Sequence, residues 1–495
     1  THISDRTRQD HVASWLQWIL CGVGVFVQFA VGTRLGWGDT VIVELRHPVY
    51  GAAMILAGFG LRWALSPCYR RQVDTWRRAD VACVRDYARG GRSIPWRAAF
   101  VWCFLPLLLV YQANDRTIGW GDTTPMIQGA MSLLREGNLN LDEFIDPASP
   151  SYNVCQIEQH YYSVFSLGPV FVAAPFVQAA RFTGSDLDDP IMQRRLEKVI
   201  ATMIAALCAA LLFPVLLRFA PPAQTGVLMV MFALGSQMWS TASQALWQHG
   251  PVALCVVGAL FIEAHHRDRP SWRWTIAQGA LLGFAVGCRP TMLLLIGLFF
   301  VYVLWLRPRQ ALAYVAGVAV MLLPFAWLHY DIYGQLLGPY ARVRTLWDAH
   351  VGWTMLGHLF SPARGVLVYQ PWVMLIAWHA VRRSARGAGI LLVLGLWCLA
   401  HLMVLSRFSM WWGGHCWGPR FFTELSPALV LLAAIGVCKL WPSRTGRVLL
   451  IVMIGWSISL QAIGVFSRDA LRWLNTPVDI DKSPERLWDW SDPPF

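Results

Sequence analysis

Apolar runs of membrane-spanning length recur along the chain from Val12 to Phe466. A helix needs about 20 mostly apolar residues to cross the hydrocarbon core of a bilayer. Of the 495 residues, 56% are hydrophobic and 14% are charged, which excludes a disordered chain and a disulfide scaffold and is untypical of a soluble domain. The sequence therefore predicts an all-α, polytopic integral membrane protein.

Fourteen apolar segments are candidate spans, and the charges between them indicate an orientation. Cytoplasmic loops of membrane proteins are enriched in Arg and Lys, so the Arg-rich segment 70–97 and the N-terminus are predicted to be cytoplasmic, and the acidic segment 114–160 to lie outside. The candidates are residues 12–32, 47–66, 98–112, 163–181, 198–217, 225–241, 251–264, 274–288, 290–306, 311–328, 365–381, 389–405, 425–441 and 448–466.

One of these segments conflicts with the charge pattern. Three apolar segments separate loop 114–160 from residues 242–250, yet the basic connector that follows requires both loops to lie outside. We interpret residues 163–181, which contain Pro169 and Pro175, as the segment that does not cross. This leaves about 13 transmembrane helices and an outer tail at residues 467–495.

The net charge of +12 follows from the cytoplasmic loops, and no basic segment interleaved with exposed aromatic residues favours nucleic-acid binding. We expect membrane lipids and no nucleic acid as partners. The 11 cysteines are scattered without the Cys/His spacing of a metal site. No P-loop, GxSxG or HExxH motif is present, which argues against NTP hydrolysis, a serine esterase of that type and a zincin.

The strongest local motif is Gly-Trp-Gly-Asp-Thr-Thr-Pro at residues 119–125, directly after the third candidate span. Thr124 and Pro125 suit the N-cap and the first position of an amphipathic helix that ends near Gly137, and we expect that helix in the outer membrane interface. Asp122 is then a candidate catalytic carboxylate. A role in capping a turn is an equal alternative.

A similar Gly-Trp-Gly-Asp-Thr string at residues 36–40 follows the first span. No Thr-Pro helix start follows it. We therefore interpret Asp39 as structural, and as an internal comparison for Asp122.

Polar residues at two other span boundaries could bind a phosphate or a sugar. His160 and Tyr161 lie in the donor-rich segment 156–163, where an aromatic belt at the membrane interface is the favoured alternative for Tyr161. Gln248 and His249 lie in a short outer loop, where His249 could carry a proton or donate a hydrogen bond. A histidine satisfied at the interface is the more common alternative.

Three outer-face arginines are candidate phosphate ligands. Arg289, followed by Pro290, interrupts an apolar run and needs an anionic partner, which could be a phosphate or a structural carboxylate. Arg420 lies in segment 406–422, whose Trp412, Gly-Gly pair and His415 suit sugar stacking and close backbone approach. Membrane anchoring is the alternative there, but it needs neither the glycines nor Arg420. Arg364 adds a cation on the same side.

Together these motifs resemble bacterial members of the GT-C superfamily, multi-span glycosyltransferases that use polyprenyl-phosphate sugars and are similar to protein O-mannosyltransferases and aminoarabinose transferases. The resemblance covers residues 98–466. Residues 1–97 are then an added pair of spans with an Arg-rich cytoplasmic loop, and 467–495 an outer tail. The resemblance implies a GT-C-like fold with interfacial helices in the first large outer loop. It also implies a bacterial inner membrane as the location, with the active site facing the periplasm.

The resemblance also implies an inverting transfer of a sugar to a lipid, glycan or protein acceptor. Asp122 would be the general base, and His160 and Arg289 would lie near the donor phosphate. Gln248 and His249 stand where many relatives have an acid, so a divalent metal is not favoured and we expect no cofactor. The alternatives are a transporter or lipid flippase, which predicts midplane charges and pseudo-symmetric halves, and a non-catalytic scaffold.

Overall fold

The computed structural model describes residues 2–29, 34–37, 40–44, 48–114, 116–267, 269–339, 350–377 and 388–495. Asp39 lies outside the described residues. The described chain is mostly helical, which confirms the predicted class in its main feature. Two short antiparallel hairpins interrupt it, formed by Arg34–Trp37 with Thr40–Glu44 and by Val154–Ile157 with His160–Ser163.

Helices make up most of the described chain. In chain order they are His2–Phe29, Pro48–Leu65, Pro67–Ala88, Trp96–Ala99 continuing through a π-turn into Leu105–Gln112, Trp120–Arg135, Gly168–Phe182, Pro190–Leu216, Pro222–Ala233, His249–His266, Trp272–Cys288, Leu293–Leu306, Ala311–Tyr333, Val351–Phe360, Val366–Tyr369, Ala388–Leu405, Ser426–Leu440, Arg444–Phe466 and Asp469–Arg472.

Within the described residues, three helices are long and apolar enough to span a membrane: Pro190–Leu216, Pro308–Tyr333 and Arg444–Phe466. Shorter apolar helices of 10–17 residues accompany them at Val12–Gly24, Ala53–Leu65, Trp96–Gln112, Pro222–Ala233, Pro290–Leu306, Gly389–Leu405 and Ser426–Leu440. Helices of membrane-spanning length are thus present, and the number of crossings stays a prediction.

Two predicted segments have a different local structure. Residues 70–97, expected as a loop, lie largely in the helix Pro67–Ala88, which Ser66 caps by accepting the Tyr69 N–H at 2.9 Å. Residues 365–381, expected as one span, form the short helix Val366–Tyr369 and a 3₁₀ segment at Pro371–Ile376 in their described part. Pro371 lacks the N–H that a continuous helix would need there.

The helix after the third candidate span begins earlier than predicted. It covers Trp120–Arg135, so Pro125 lies inside it rather than at its first position. Pro125 has no N–H for the carbonyl of Gly121, four residues before it, and the Asn153 side chain donates to that carbonyl instead, at 2.7 Å. The predicted end is confirmed, because Gly137 follows the helix with a φ of 74°.

The apolar face of this helix is covered by protein, and the position of the helix in the outer membrane interface stays a prediction. Met126, Ile127, Ala130 and Met131 are at most 1% exposed, since the helix packs against Gly168–Phe182. That second helix has 15 residues, and whether residues 163–181 cross the membrane stays a prediction. The pair holds Asp122 against the body of the protein.

Close helix packing also positions Arg289. The helix Trp272–Cys288 lies against Ala311–Tyr333 at glycines, where a Cβ on Gly279 would stand 2.2 Å from the carbonyl oxygen of Tyr314. Small residues permit such approach between helices. The helix ends at Cys288, because Arg289 adopts an extended backbone before Pro290. Arg289 therefore lies at the end of the helix, beside the candidate site.

Candidate functional site

A cavity of about 950 Å³ opens between segments that are far apart in the sequence. The start of helix Trp120–Arg135, the hairpin at residues 154–163, segment 406–422 and the tail all contribute to its wall. Most of the lining is apolar, and the polar groups are concentrated at a few positions. The lining residues are Gly121, Asp122, Tyr152, Cys155, Gln156, Ile157, Val164, Phe165, Tyr333, Pro339, Phe408, Ser409, Met410, Gly413, Gly414, His415, Arg420, Phe421 and Asp481.

Asp122 and Arg420 meet on this wall. Arg420 Nη1 donates to Asp122 Oδ2 at 2.7 Å, and the Asp122 side chain is 20% exposed. The Arg420 guanidinium also lies over the ring of Trp247, 4.4 Å from its centroid, which adds a cation–π contact. The start of helix Trp120–Arg135, the residues just before helix His249–His266 and segment 406–422 therefore converge at one carboxylate.

Tyr152 contacts the other oxygen of Asp122, with its hydroxyl donating to Oδ1 at 2.7 Å. Burial raises the pKa of Tyr152, and the negative charge of Asp122 raises it further. The phenol therefore stays protonated at neutral pH and acts as a hydrogen-bond donor. Sequence reasoning did not select Tyr152, because a lone tyrosine in a polar loop carries no distinctive pattern.

Replacing Tyr152 by Phe is expected to destabilise the protein by about 1.5 kcal/mol or more, since it removes a hydrogen bond to the charged Asp122 carboxylate. Thermal unfolding of purified protein measures the loss. Tyr161→Phe on the hairpin at residues 154–163 serves as the control and should leave the midpoint nearly unchanged. An equal loss in both variants would contradict the assignment of Tyr152 to this contact.

A smaller pocket lies behind the Asp122–Arg420 pair. Its volume is about 10 Å³, roughly the space of one water molecule, and it is lined by Asp122, Phe165, Trp247, Gln248, His249, Arg289 and Arg420. The structure thus brings Gln248, His249 and Arg289 together beside Asp122. Gln248 Nε2 is buried there with no hydrogen-bond partner among the described residues.

The anionic partner of Arg289 is Glu424, with Arg289 Nε 3.0 Å from Glu424 Oε1. The second carboxylate oxygen lies 2.5 Å from His249 Nδ1, and the His401 ring lies 3.4 Å from Oε1. Of the two expected partners for Arg289, a structural carboxylate is therefore present. Glu424 was missed in the sequence, where an acid directly before an apolar run was the available signal.

His160 and Tyr161 lie apart from both pockets in the described structure. His160 Nδ1 lies 2.6 Å from Asp142 Oδ2, and the Tyr161 N–H donates to Asp142 Oδ1 at 2.7 Å. Asp142 thus ties the hairpin to the preceding loop. The predicted phosphate-binding role of these two residues is not matched by their position, because the hairpin presents other residues to the cavity.

Arg364 is a structural support rather than a free cation. It is 2% exposed, and Nε, Nη1 and Nη2 donate to the carbonyls of Trp412, Ala363 and Gly414 at 2.8, 2.9 and 3.0 Å. Gly413 and Gly414 have φ values of 73° and 69°, a conformation that favours glycine. The structure gives Arg364 backbone carbonyls as partners and, among the described residues, places it outside the lining of both pockets, so its predicted phosphate contact stays a prediction without structural support.

Replacing Arg364 by Ala is expected to destabilise the protein by about 3 kcal/mol or more, since it removes several charge-assisted hydrogen bonds from a buried turn. Thermal unfolding of purified protein, followed by intrinsic fluorescence, measures the loss. Arg472→Ala is the control, because Arg472 is 72% exposed in its pair with Asp469. An unchanged midpoint for Arg364→Ala would contradict its assignment as a support.

His415 and Trp412 connect segment 406–422 to the tail. His415 Nε2 lies 3.1 Å from Asp479 Oδ1, and Trp412 Nε1 donates to Asp481 Oδ1 at 2.7 Å. Ligand atoms of His415, Asp479 and Asp481 lie within 4.8 Å of one another, so these residues could hold a cation. The tail was expected on the outer face, and its approach to the cavity was not predicted.

The arrangement combines a carboxylate that can accept a proton, guanidinium groups that can stabilise a phosphate, and an apolar cavity beside them. Asp122, Arg420, Arg289, His249 and Gln248 form this group, as the sequence motifs indicated. No protein-family model matches the chain, and no curated protein matches its sequence.

Proposed function

We propose that the protein is an integral membrane glycosyltransferase that moves a sugar from a polyprenyl-phosphate donor to an acceptor. The observation that carries the proposal is the contact between Asp122 and Arg420. These residues are 298 positions apart in the chain, yet they lie 2.7 Å apart on the wall of a 950 Å³ cavity. A scaffold has no need to bring a carboxylate and a guanidinium together at such a cavity.

In the proposed reaction, Asp122 accepts the proton of the acceptor hydroxyl while the acceptor oxygen attacks the anomeric carbon of the sugar. The bond between that carbon and the phosphate oxygen breaks, and the leaving phosphate keeps the electron pair. Arg420, with Arg289 behind it, stabilises the charge that develops on the phosphate. Inversion at the anomeric carbon follows from the GT-C resemblance.

The lining of the cavity supports a lipid-linked donor. Phe165, Phe408, Met410 and Phe421 offer apolar and aromatic surface beside the polar pair. Isoprenoid chains are apolar, and aromatic rings pack against sugar faces, so one cavity suits both parts of such a donor. The acceptor is a lipid, glycan or protein with a nucleophilic hydroxyl or amine.

We place this reaction at the periplasmic face of a bacterial inner membrane, in a GT-C-like fold with about 13 crossings. The supports are the Arg-rich segments assigned to the cytoplasm, the acidic outer segment 114–160, and three helices of spanning length among the described residues. The close contact between a carboxylate and a guanidinium at the cavity favours a glycosyltransferase over a transporter or lipid flippase.

The test is turnover of radiolabelled polyprenyl-phosphate sugars by purified protein in lipid, with an envelope fraction supplied as acceptor. We expect sugar transfer with release of one polyprenyl phosphate for each sugar moved, and no use of nucleotide sugars. Movement of the intact donor across the bilayer, with its sugar–phosphate bond unbroken, would support the transporter alternative instead.

A further inference from the structure

Glu424 is a fully buried carboxylate in the part of the chain that adjoins the site, between the 3₁₀ turn Arg420–Phe422 and the helix Ser426–Leu440. Its exposed fraction is 0%. One oxygen lies 3.0 Å from Arg289 Nε and the other 2.5 Å from His249 Nδ1. A carboxylate in such a place is costly unless paired, and here a cation and an imidazole pair with it.

The same contacts determine where Arg289 and His249 lie. Arg289 is 3% exposed and His249 2%, and Arg289 Nη1 stands within 3.1 Å of both ring nitrogens of His249. Both residues line the small pocket beside Asp122, whereas Glu424 lines neither pocket in the described structure. Glu424 therefore acts on that pocket through its two partners.

We propose that Glu424 is a positioning residue, which holds the Arg289 guanidinium and the His249 ring behind Asp122 and Arg420, where the charge of Arg289 supports a donor phosphate bound at Arg420 on the cavity wall. This inference rests on the proposed function, since it takes the donor phosphate to bind at Arg420. A buried guanidinium without its counter-charge would move or draw in water. The pair thus keeps Arg289 in one geometry before the donor arrives, which lowers the cost of binding.

The chain offers a matched control for a buried pair away from the site. Glu263 is 3% exposed, pairs with Arg307 Nη2 at 2.5 Å and accepts from the Tyr302 hydroxyl at 2.6 Å. It lies on the same helix as His249, about 21 Å along its axis at 1.5 Å per residue. Glu263 lines neither pocket, so its loss should affect stability alone.

The test is equilibrium binding of radiolabelled undecaprenyl phosphate, with undecaprenol as the probe that lacks the phosphate, to full-length protein in nanodiscs. Wild type should prefer the phosphate. Glu424→Gln should weaken binding of the phosphate by about tenfold or more, leave undecaprenol unchanged, and add nothing when Arg289→Gln is already present. Glu263→Gln should bind both probes like wild type.

Phosphate affinity in Glu424→Gln that equals or exceeds that of wild type would overturn the proposal, as would losses that add in the double variant. If Glu424→Gln does not fold, Glu424→Asp replaces it: the shorter carboxylate should give a smaller loss that again disappears in the Arg289→Gln background. Equal binding of both lipids by wild type would overturn the proposed function as well. A phosphate preference in wild type that Glu424→Gln retains would overturn only the role of Glu424.

Discussion

Replacing Asp122 by Asn is expected to reduce sugar transfer by about 10²–10⁴-fold, the usual contribution of a general base. The amide keeps the size of the side chain and can still accept the Tyr152 hydroxyl, but it cannot take a proton from the acceptor. Single-turnover transfer from a radiolabelled polyprenyl-phosphate sugar measures the chemical step. Binding of the donor should change much less than the rate.

The control for this prediction is Asp142→Asn. Asp142 lies in the same acidic segment and also accepts two hydrogen bonds, from the hairpin at His160 and Tyr161, but it does not line the cavity. Its variant should keep nearly the wild-type rate. If both variants lose the same activity, or if Asp122→Asn remains active, Asp122 is not the base.

Replacing Arg420 by Gln is expected to lower kcat by about 10²–10³-fold, comparable to the loss of one group that stabilises developing charge. Arg420 is the cation that contacts Asp122 and lines both pockets. Arg420→Lys should recover only part of the rate, because an ammonium group neither forks between two oxygens nor stacks flat over Trp247. Steady-state kinetics with saturating donor give the comparison.

The double variant distinguishes a shared site from two separate roles. Because Asp122 and Arg420 are in direct contact, their losses in rate should not add when both are replaced. Arg472→Gln, which removes an exposed arginine from its surface pair, is the matched control and should be neutral. Full additivity, or a neutral Arg420→Gln, would contradict the shared site.

Local sequence patterns predict most of the helices of this fold. The length of an apolar run and the position of the Arg-rich segments between runs can be read from consecutive residues. Most helices therefore lie near their predicted positions. Boundaries were missed where tertiary contacts decide: Pro125 is tolerated inside a helix because Asn153 satisfies the carbonyl that it leaves unpaired. The second helix that covers the apolar face of that helix was not predicted, because an apolar face packs equally well against lipid and against another helix.

The sequence predicted several residues of the candidate site, but not the contacts between them. Asp122, Arg289 and Arg420 were selected because charged groups at span ends are costly without a role. Arg364 met the same criterion, yet its donors are used by backbone carbonyls, which only coordinates reveal. Glu424 and Tyr152 were missed because their importance depends on distant contacts: His249 lies 175 positions from Glu424, and Asp122 lies 30 positions from Tyr152.

The most direct test of the central claim is a structure of the protein with a phosphonate analogue of a polyprenyl-phosphate sugar, in which carbon replaces the bridging oxygen. We predict phosphonate oxygens within hydrogen-bond distance of Arg420, and the anomeric carbon on the side of Asp122. An analogue whose phosphonate lies away from Arg420, or whose sugar lies away from Asp122, would contradict the proposed glycosyltransferase site.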